Sequence, residues 1–543
     1  MKKRGRILVV DDRPDWRTVA AESLNKAGFE AEAVETVDQA RAALEQALYH
    51  VLILDICFDS TSNEEGLHFL RELDQRELTR AIQIVMFSNY GTKEIMRETF
   101  RDYDIADFIE KTPFEEKKFV KDIQNVFAKD THLNLNMTIR WSQTSGPEAV
   151  AADLKLQQGY DETDPSISTD PLPTQLLAAE LEDLLRRLFY EADNVLARPM
   201  SPGYSGSGVL LVRPFFMDGG GSPVIVKYGS ASQIQQEYTR YKQFVERFIG
   251  GGHCTSIHDL RRTIHLGGIN YTFLGASGPT TDFTSYYKQH EATQIKQALD
   301  HLFLTTCGEW YANADRLGLV DLFEDYQRTL GFTLEKLRDR LKQLSGVHRI
   351  DQKYLSVESL QSQKRFIDPL LAIERQDLAY PTCTCPTHGD FNQHNLQVDN
   401  DGHIWMIDFQ NTGHGHILRD FVALDDALRL QMLTTSDATL EERLDMDQAL
   451  CSIDHFSEVD QLDGGFQTDN PHLAKTYDIV VHLRKLARQV IRHNSSDDFH
   501  EYYAALLLNS LNTLRFTSLE QEQRIHALLS ASLLAEKLQA GVR

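Results

Sequence analysis

The first 127 residues alternate short apolar runs with amphipathic stretches. The apolar runs occupy 7–10, 51–54 and 82–87, and stretches of helical periodicity separate them. This alternation is typical of βαβ units, in which helices cover both faces of a parallel sheet. We therefore expect an open parallel sheet over residues 1–127. A chain of 543 residues exceeds what one hydrophobic core holds, so further domains must follow.

Five polar residues come directly after apolar runs of this segment: Asp11, Asp12, Asp55, Ser88 and Lys111. In an open parallel sheet, ligands collect beyond the carboxyl ends of the strands. Three carboxylates in one crevice repel one another unless a cation such as Mg²⁺ takes their oxygens as ligands. We expect Asp11, Asp12 and Asp55 to hold Mg²⁺ and Asp55 to be the nucleophile that forms an acyl phosphate. Lys111 and the Ser88 hydroxyl would then bind the phosphoryl oxygens.

The segment resembles the response-regulator receiver family, which also carries Asp-Asp after the first strand and Lys-Thr-Pro after the fifth. The resemblance implies a flavodoxin-like, doubly wound sheet and phosphorylation of Asp55 by a sensor histidine kinase. It also implies a switch formed by Ser88, Phe108 and Lys111. The sequence departs from the family at 56–66, where an acidic loop replaces a shorter turn.

A second motif lies far downstream. His-Gly-Asp-Phe-Asn-Gln-His-Asn occupies 388–395, and an apolar strand then ends at Asp408. Phosphoryl transfer from ATP needs a carboxylate beside the acceptor hydroxyl and oxygen ligands for Mg²⁺. We expect Asp390 to be the catalytic base and Asn395 and Asp408 to be metal ligands. His388 is interpreted as a brace of this loop.

Upstream of this motif, a glycine-rich stretch precedes the apolar run that ends at Lys227. Glycines allow the main chain to approach phosphate oxygens closely. Lys227 would contact nucleotide phosphates if it were anchored by an acidic residue of the next helix, for which Glu237 is the candidate. The predicted nucleotide-binding residues are Gly203, Gly206, Gly208, Lys227 and Glu237.

This second set resembles the aminoglycoside and choline phosphotransferase branch of kinase-like folds. Gly389 stands where protein kinases have Arg, and Gln410 stands where they have Gly. The resemblance implies a bilobal, protein-kinase-like α+β domain with a large helical C-lobe, and Asp420 as a supporting residue. The predicted multidomain α/β chain comprises a receiver at 1–127, a linker at 128–175 in which 133–141 could add a strand, an N-lobe at 176–276, and a C-lobe at 277–543 with its catalytic segment at 386–420.

Composition limits the partners. Asp and Glu number 80 against 56 Lys and Arg, a formal charge of -24, which disfavours binding to nucleic-acid phosphates. No apolar run reaches the length of a membrane helix, and the first residues lack the pattern of a signal peptide. The six cysteines are scattered except for Cys383 and Cys385, and we interpret them as reduced cytosolic thiols. We expect a cytoplasmic protein with no membrane or nucleic-acid partner.

The two constellations together predict a two-component signalling protein. Phosphorylation of Asp55 would regulate an ATP- and Mg²⁺-dependent phosphotransferase that acts on an alcohol group of an unknown acceptor. The alternatives are a pseudokinase that binds nucleotide without transfer, and a scaffold that reports the state of the receiver to other proteins.

Overall fold

The computed structural model of the 543-residue chain describes most of its length. The described residues are 5–58, 65–89, 99, 101–103, 105–129, 132–142, 146–154, 171–200, 207–249, 255–272, 280–351, 353–360, 364–374, 377–491 and 497–541. The chain forms two compact units. The first comprises Met1–Tyr238 and Ser256–Ala276, and the second comprises Thr239–Thr255 and Ser277–Arg543.

A parallel sheet of five strands in the order β2-β1-β3-β4-β5 begins the first unit. Its strands are β1 (Arg6–Val10), β2 (Glu30–Val34), β3 (Val51–Leu54), β4 (Gln83–Ser88) and β5 (Asp107–Glu110). The helices described with it are α1 (Pro14–Lys26), α2 (Val37–Gln46), α3 (Glu65–Gln75) and α4 (Glu116–Lys129). A 3₁₀ turn at Leu78–Arg80 precedes β4. This sheet confirms the predicted flavodoxin-like topology.

Burial of both sheet faces explains why β3 is apolar at every position. Leu52 and Leu54 belong to the core on one face, whereas Val51 and Ile53 belong to the core on the other. Strands buried on both sides read as continuous apolar runs because neither face meets water. The unbroken run at 51–54 is therefore the central strand, and Asp55 lies at its carboxyl end.

A second, mostly antiparallel sheet follows in the same unit, in the order β11-β12-β10-β8-β7-β6, with β9 paired to β8. The strands are β6 (Thr138–Trp141), β7 (Asn194–Pro199), β8 (Gly208–Phe216), β9 (Gly219–Gly220), β10 (Val224–Ser230), β11 (Ile257–Arg262) and β12 (Leu266–Thr272). The helices are α5 (Pro147–Ala152), α6 (Thr174–Leu188) and α7 (Ala231–Arg240), and a π-helical turn at Tyr241–Val245 continues α7 into the second unit.

Part of the segment predicted as a linker is integrated into this second sheet. Strand β6 pairs in parallel with β7, and helix α5 packs on α6. Met137, Val150 and Leu154 are buried in the same core as α6. These apolar side chains are too few and too dispersed to give a clear periodic signal, which is why 137–154 resembles a linker in sequence.

The second unit is mainly helical. Its helices are α8 (Phe283–Gln289), α9 (Ala292–Asp300), α10 (Gly308–Ala312), α11 (Leu322–Leu330), α12 (Leu334–Lys342), α13 (Pro369–Ile373), α14 (Arg419–Asp426), α15 (Leu440–Leu450), α16 (Pro471–Val490), α17 (His500–Thr513) and α18 (Gln521–Gly541). π-Helical turns occur at His301–Thr306 and Ala427–Met432, and a 3₁₀ helix spans Phe456–Leu462.

Small sheets interrupt these helices. Their strands are β13 (Thr281–Asp282), β14 (Gly318–Asp321), β15 (Val347–Ile350), β16 (Tyr354–Val357), β17 (Phe366–Ile367), β18 (Ala379–Thr382), β19 (Thr384–Thr387), β20 (Leu396–Val398), β21 (Ile404–Met406) and β22 (Gly413–His416). The sheets pair β13-β20-β21, β14-β18, β15-β16-β17 and β19-β22. The hairpin of β20 and β21 and the ladder of β19 and β22 position the segment 388–411.

A network of buried charges holds the helical unit together. Arg429 donates hydrogen bonds to Asp425 and to Asp447, each at 2.6 Å. Arg484 also donates to Asp425, and His526 to Asp447.

Among the described residues, no helix is both long and apolar enough to cross a membrane.

Candidate functional site

An acidic group lies at the carboxyl ends of β1 and β3. The carboxylate oxygens of Asp11, Asp12 and Asp55 lie within 4.8 Å of one another, and Asp11 and Asp55 are buried. The parallel register of β1 and β3 pairs Val10 with Leu54, which brings the residues that follow both strands to one edge. Three oxygen-donating carboxylates at this spacing suit a hard divalent cation, and receiver domains bind Mg²⁺ in such a pocket.

Lys111 neutralises part of this negative charge. Its ammonium lies 2.6 Å from Asp11 and also forms an ion pair with Asp55, and only 3 % of its side chain is exposed. Burial raises the pKa of Asp11 above its ordinary value, and the hydrogen bond from Lys111 opposes that increase. One ammonium among three carboxylates leaves a net negative pocket, which favours a cation as further partner.

The predicted switch residues border this pocket. Ser88 ends β4 and is fully buried, and its carbonyl oxygen accepts a hydrogen bond from the main-chain nitrogen of Lys111 at 3.4 Å. Phe108 is half-buried in β5 and packs against the core that contains Leu54. The sequence thus places Ser88 and Lys111 beside Asp55 through neighbouring strands. Residues 59–64 of the acidic loop lie outside the described part of the chain.

Lys227 lies in the middle of the second sheet. It pairs with Val209 of β8 and with Ile269 of β12, and its ammonium lies 2.8 Å from the Glu237 carboxylate on α7. Both side chains are buried, and the Tyr271 hydroxyl donates a hydrogen bond to Glu237. A buried ion pair rarely adds net stability because both ions lose hydration. The pair is better explained as a means of orienting the ammonium.

The glycine-rich stretch is described only in part. Gly203 and Gly206 lie outside the described residues. Gly208 begins β8, where a Cβ atom would come within 2.1 Å of the Tyr228 ring. Packing against Tyr228 is therefore sufficient to explain glycine at 208, and its contact with a nucleotide stays a prediction.

Asp390 of the second unit is held through both carboxylate oxygens. Asn392 donates to one oxygen at 2.7 Å, and Asn395 donates to the other at 3.0 Å and to the Asp390 carbonyl at 2.8 Å. Burial, together with the nearby charge of Asp408, raises the pKa of Asp390 above its ordinary value. A rigid carboxylate with a raised pKa has the properties of a general base.

The start of this loop is fixed by main-chain hydrogen bonds. The carboxylate of Asp420 accepts hydrogen bonds from the nitrogens of His388 and Gly389, at 2.8 and 3.1 Å. The His388 ring donates from Nε2 to the carbonyl oxygen of Ile407 at 3.0 Å. Gly389 has a φ of +81°, and a Cβ there would lie 2.2 Å from the Asn411 carbonyl oxygen. His388 therefore connects the 388–395 loop to the 404–411 segment, and Asp420 connects the same loop to α14.

The hairpin of β20 and β21 brings Asn395 opposite Ile407, whose nitrogen donates to the Asn395 carbonyl at 3.0 Å. Asp408 follows at once, in a left-handed conformation with φ of 65°. Phe409, which is fully buried, packs against the rings of His388 and Tyr241, with centroids 5.5 Å apart in each pair. This packing fixes the main chain on which Asp408 lies.

Three contacting residues are absent from the sequence-based prediction. Arg240 donates a hydrogen bond to the Gln410 carbonyl, although the two are 170 positions apart, and Tyr271 reaches Glu237 from another strand. Nothing in the local pattern signals these two. Asn392 lies inside the 388–395 motif, and its amide two positions after Asp390 is a signal that sequence reasoning could have used.

Comparison with known proteins divides the chain in two. The response regulator receiver domain family matches residues 7–124. The phosphate regulon transcriptional regulatory protein PhoB of Pseudomonas aeruginosa is 29% identical over 123 residues, which are 23% of this chain. The match covers 52% of that relative, so the chain spans about half of its length. A receiver domain implies a phosphodonor, such as a histidine kinase, as partner.

Solved structures match the same segment. The receiver domain of NtrX from Brucella abortus is 29% identical and has a TM-score of 0.21, and the match covers 23% of this chain and 99% of that one. The chemotaxis response regulator CheY4 of Vibrio cholerae is 22% identical, also with a TM-score of 0.21, and covers 23% of this chain and 99% of that one.

The remainder of the chain matches a different family model, described as ternary complex associated domain 9, over residues 192–353 and 357–515. These residues make up more than half of the chain and include Lys227, Glu237, Asp390, Asn395 and Asp408. The protein therefore belongs to the ternary complex associated domain 9 family and carries an N-terminal response regulator receiver domain.

Proposed function

We propose that this protein is a two-component signalling protein in which phosphorylation of Asp55 regulates an ATP- and Mg²⁺-dependent phosphotransferase of the aminoglycoside phosphotransferase-like kind. The observation that carries the proposal is the environment of Asp390. Its partly buried carboxylate is held through both oxygens by Asn392 and Asn395, and its pKa is raised by desolvation and by Asp408. A structural surface carboxylate needs none of these features.

The proposed reaction transfers the γ-phosphoryl group of ATP to an alcohol. The bond from phosphorus to the bridging oxygen of ADP breaks, a bond to the acceptor oxygen forms, and the acceptor proton passes to Asp390. Asn395 and Asp408 supply oxygen ligands of the type that Mg²⁺ prefers. Lys227, oriented by Glu237 at 2.8 Å, would stabilise the negative charge of the phosphates.

The proposed input is phosphorylation of Asp55 by a sensor histidine kinase. The Asp55 carboxylate would attack the phosphorus of a phosphohistidine, whose P–N bond would break. Asp11, Asp12 and Asp55 would hold Mg²⁺, which would supply charge neutralisation. Lys111 already contacts Asp55, so its ammonium is placed to pair with the phosphoryl oxygens that arrive there.

Binding of Mg-ATP to the full chain, measured by calorimetry, tests the proposal. We expect binding by the wild type, and loss of at least about tenfold in affinity in Lys227→Met and in Asp408→Asn, since each removes a side chain proposed to contact the phosphates or their metal. Lys242→Met is the matched control, because Lys242 is exposed and forms a surface ion pair with Glu246. Absence of binding in the wild type would overturn the phosphotransferase.

A scaffold without transfer is the second candidate. The words "ternary complex associated" in the description of the matched family favour it, because they refer to assembly rather than to catalysis. A scaffold would bind a protein partner in a manner that depends on Asp55 phosphorylation, and a pseudokinase scaffold would bind Mg-ATP without consuming it. Single-turnover measurement of ADP release separates both from the phosphotransferase.

A further inference from the structure

The edge of the receiver sheet opposite Asp55 contacts the β-rich part of the first unit. His50 immediately precedes β3, and Asp55 follows the other end of that strand. At a rise of about 3.3 Å per residue, the two positions lie roughly 15 Å apart. This edge is therefore remote from the acidic group but connected to it through the central strand.

The contact at this edge is a buried polar one. The His50 ring accepts a hydrogen bond at Nδ1 from the Arg6 nitrogen, at 2.8 Å, so its Nε2 carries the proton donated to Asp183 of α6, at 3.1 Å. Asp183 also pairs with Arg187 at 2.8 Å. Burial opposes ionisation of Asp183, but the charge of Arg187 and the hydrogen bonds from His50 and Arg187 hold its pKa below the ordinary value. Partners on both sides fix one arrangement of the receiver and α6.

The turn between β11 and β12 forms the second part of the contact. Ile264 of this turn is buried in the receiver core that includes Leu73 and Leu78. Arg262, which is 11 % exposed, lies 3.2 Å from the Glu77 carboxylate of the receiver. An apolar side chain that completes the core of another domain resists separation of the two, because separation would expose it to water.

One buried carboxylate joins the turn to α6. Glu180 accepts hydrogen bonds from the nitrogen of His265 at 3.0 Å and from its ring at 2.7 Å, and also from the Thr263 hydroxyl. Glu180 lies one helical turn before Asp183, on the same side of α6. The helix and the turn therefore meet the receiver as one surface.

Helix α6 of this surface packs on β12, the strand that pairs with the Lys227 strand β10. Helix α6 packs so closely on β12 that a Cβ atom at Gly268 would come within 2.8 Å of Leu184. The next residue of β12, Ile269, is paired with Lys227 of β10. The path from His50 to Lys227 thus consists of packed or hydrogen-bonded neighbours within one compact unit.

We propose that the receiver edge formed by Arg6, His50, Glu77 and Leu78 is the output surface through which the state of Asp55 reaches β10 and Lys227. Its partner is the surface of α6 and the β11–β12 turn in the same chain. The role of Lys227 as the end point rests on the proposed function, whereas transmission to β10 does not. A packed interface with one defined arrangement can pass a shift between domains, which a flexible tether cannot do.

Hydrogen exchange of the full chain tests this surface, with beryllofluoride and Mg²⁺ as the probe of the phosphorylated state. We expect the probe to change exchange by about threefold or more in α6, β10 and β12 of the wild type. Glu77→Arg and Arg262→Glu should each abolish that change, and the double variant, which exchanges the two charges, should restore it. Glu22→Arg, on the exposed face of α1, is the matched control and should respond like the wild type.

Two results would overturn the proposal. One is a wild type in which beryllofluoride alters exchange around Ser88 and Lys111 but not in α6, β10 or β12. The other is a response in these elements that persists in both single variants, whose folding is verified by thermal unfolding. If the wild type shows the exchange response but binds no Mg-ATP, the output surface is supported and only the proposed phosphotransferase activity is contradicted.

Discussion

The two acidic sites of this chain differ in the groups that stabilise their carboxylates. In the receiver, Asp55 and Asp11 share the ammonium of Lys111. In the second unit, Asp390 is held by the neutral amides of Asn392 and Asn395. A cation compensates charge, whereas an amide orients a carboxylate without neutralising it. The first arrangement suits a nucleophile that must stay ionised, and the second suits a base that must take up a proton.

The largest effect should come from Asp55→Asn, because the substitution removes the carboxylate proposed to form the acyl phosphate, and Asp11 and Asp12 are assigned to the cation instead. We expect complete loss of phosphoryl incorporation from a small-molecule donor such as acetyl phosphate, measured by intact-protein mass spectrometry. Asp15→Asn, exposed in the first turn of α1, is the control and should label normally. Labelling that survives in Asp55→Asn would assign the acceptor to another residue.

Asp390→Asn separates proton transfer from nucleotide binding in the second site. Asparagine keeps the shape but accepts no proton, so the rate of transfer should fall by roughly 10²- to 10⁴-fold. Affinity for Mg-ATP should stay within about twofold, since Asp390 is not assigned a contact to the nucleotide. ADP release in single turnovers and calorimetry measure these quantities, with Asp401→Asn as an exposed control. Retained turnover would show that Asp390 is not the base.

Removal of the receiver lysine tests charge compensation directly. Lys111→Met leaves Asp11 and Asp55 without their ammonium, and breaking a buried ion pair on one side costs about 3 to 5 kcal/mol of unfolding free energy. Mg²⁺ should recover part of this loss, because it binds the folded acidic group. Denaturant unfolding with and without Mg²⁺ measures both effects, and Lys117→Met is an exposed control. Equal loss in both conditions would contradict the cation site.

The receiver was predictable from sequence because its signals are local. Val51 to Leu54 form an unbroken apolar run, and a parallel sheet brings the residues after such runs to one edge. The family comparison confirms the receiver domain. The pairing of Lys227 with Glu237 was also within reach, since the two belong to a strand and the helix that follows it.

The contacts that join distant segments were not predictable. His50 and Asp183 are 133 positions apart, and Arg240 and Gln410 are 170 apart. A single His or Arg has no periodic pattern that would name its partner, because tertiary packing alone brings the two segments together. The sequence allowed a strand within 133–141, but the short helix at Pro147–Ala152 was not predicted, since six residues supported by a few buried side chains give little periodicity.

Another buried carboxylate extends the comparison to pH. Asp426 accepts hydrogen bonds from the Thr513 and Ser510 hydroxyls at 2.6 and 3.0 Å, and burial raises its pKa to about 6. The folded protein thus binds this proton more tightly than the unfolded chain, so the free energy of unfolding falls as pH rises between about 4 and 6.

Asp426→Asn removes this dependence. Its stability relative to the wild type should improve across that pH interval by roughly 3 kcal/mol, because a shift of one pKa unit corresponds to about 1.4 kcal/mol. Denaturant unfolding at a series of pH values gives the difference, in which other titrating groups cancel. Ser436→Ala, on the surface of the same unit, is the control, and its free energy of unfolding should change with pH as that of the wild type does. If the free energy of unfolding of Asp426→Asn had the same pH dependence as that of the wild type, folding would not raise the pKa of Asp426.

The smallest effect is expected for Asn392→Ala, which removes one neutral donor from Asp390. A hydrogen bond to a charged group contributes about 1.5 to 3 kcal/mol, so the cost to stability should be below that of Lys111→Met. The ionised form of Asp390 loses a partner, which raises its pKa further. In a plot of transfer rate against pH, the rise on the acid side should therefore move to higher pH, while the maximal rate changes little. Asn313→Ala, whose amide bonds only a helix carbonyl, is the control. A rise that stays in place would mean that Asn392 orients Asp390 without stabilising its charge, and the contrast between amide and ammonium would then be one of geometry alone.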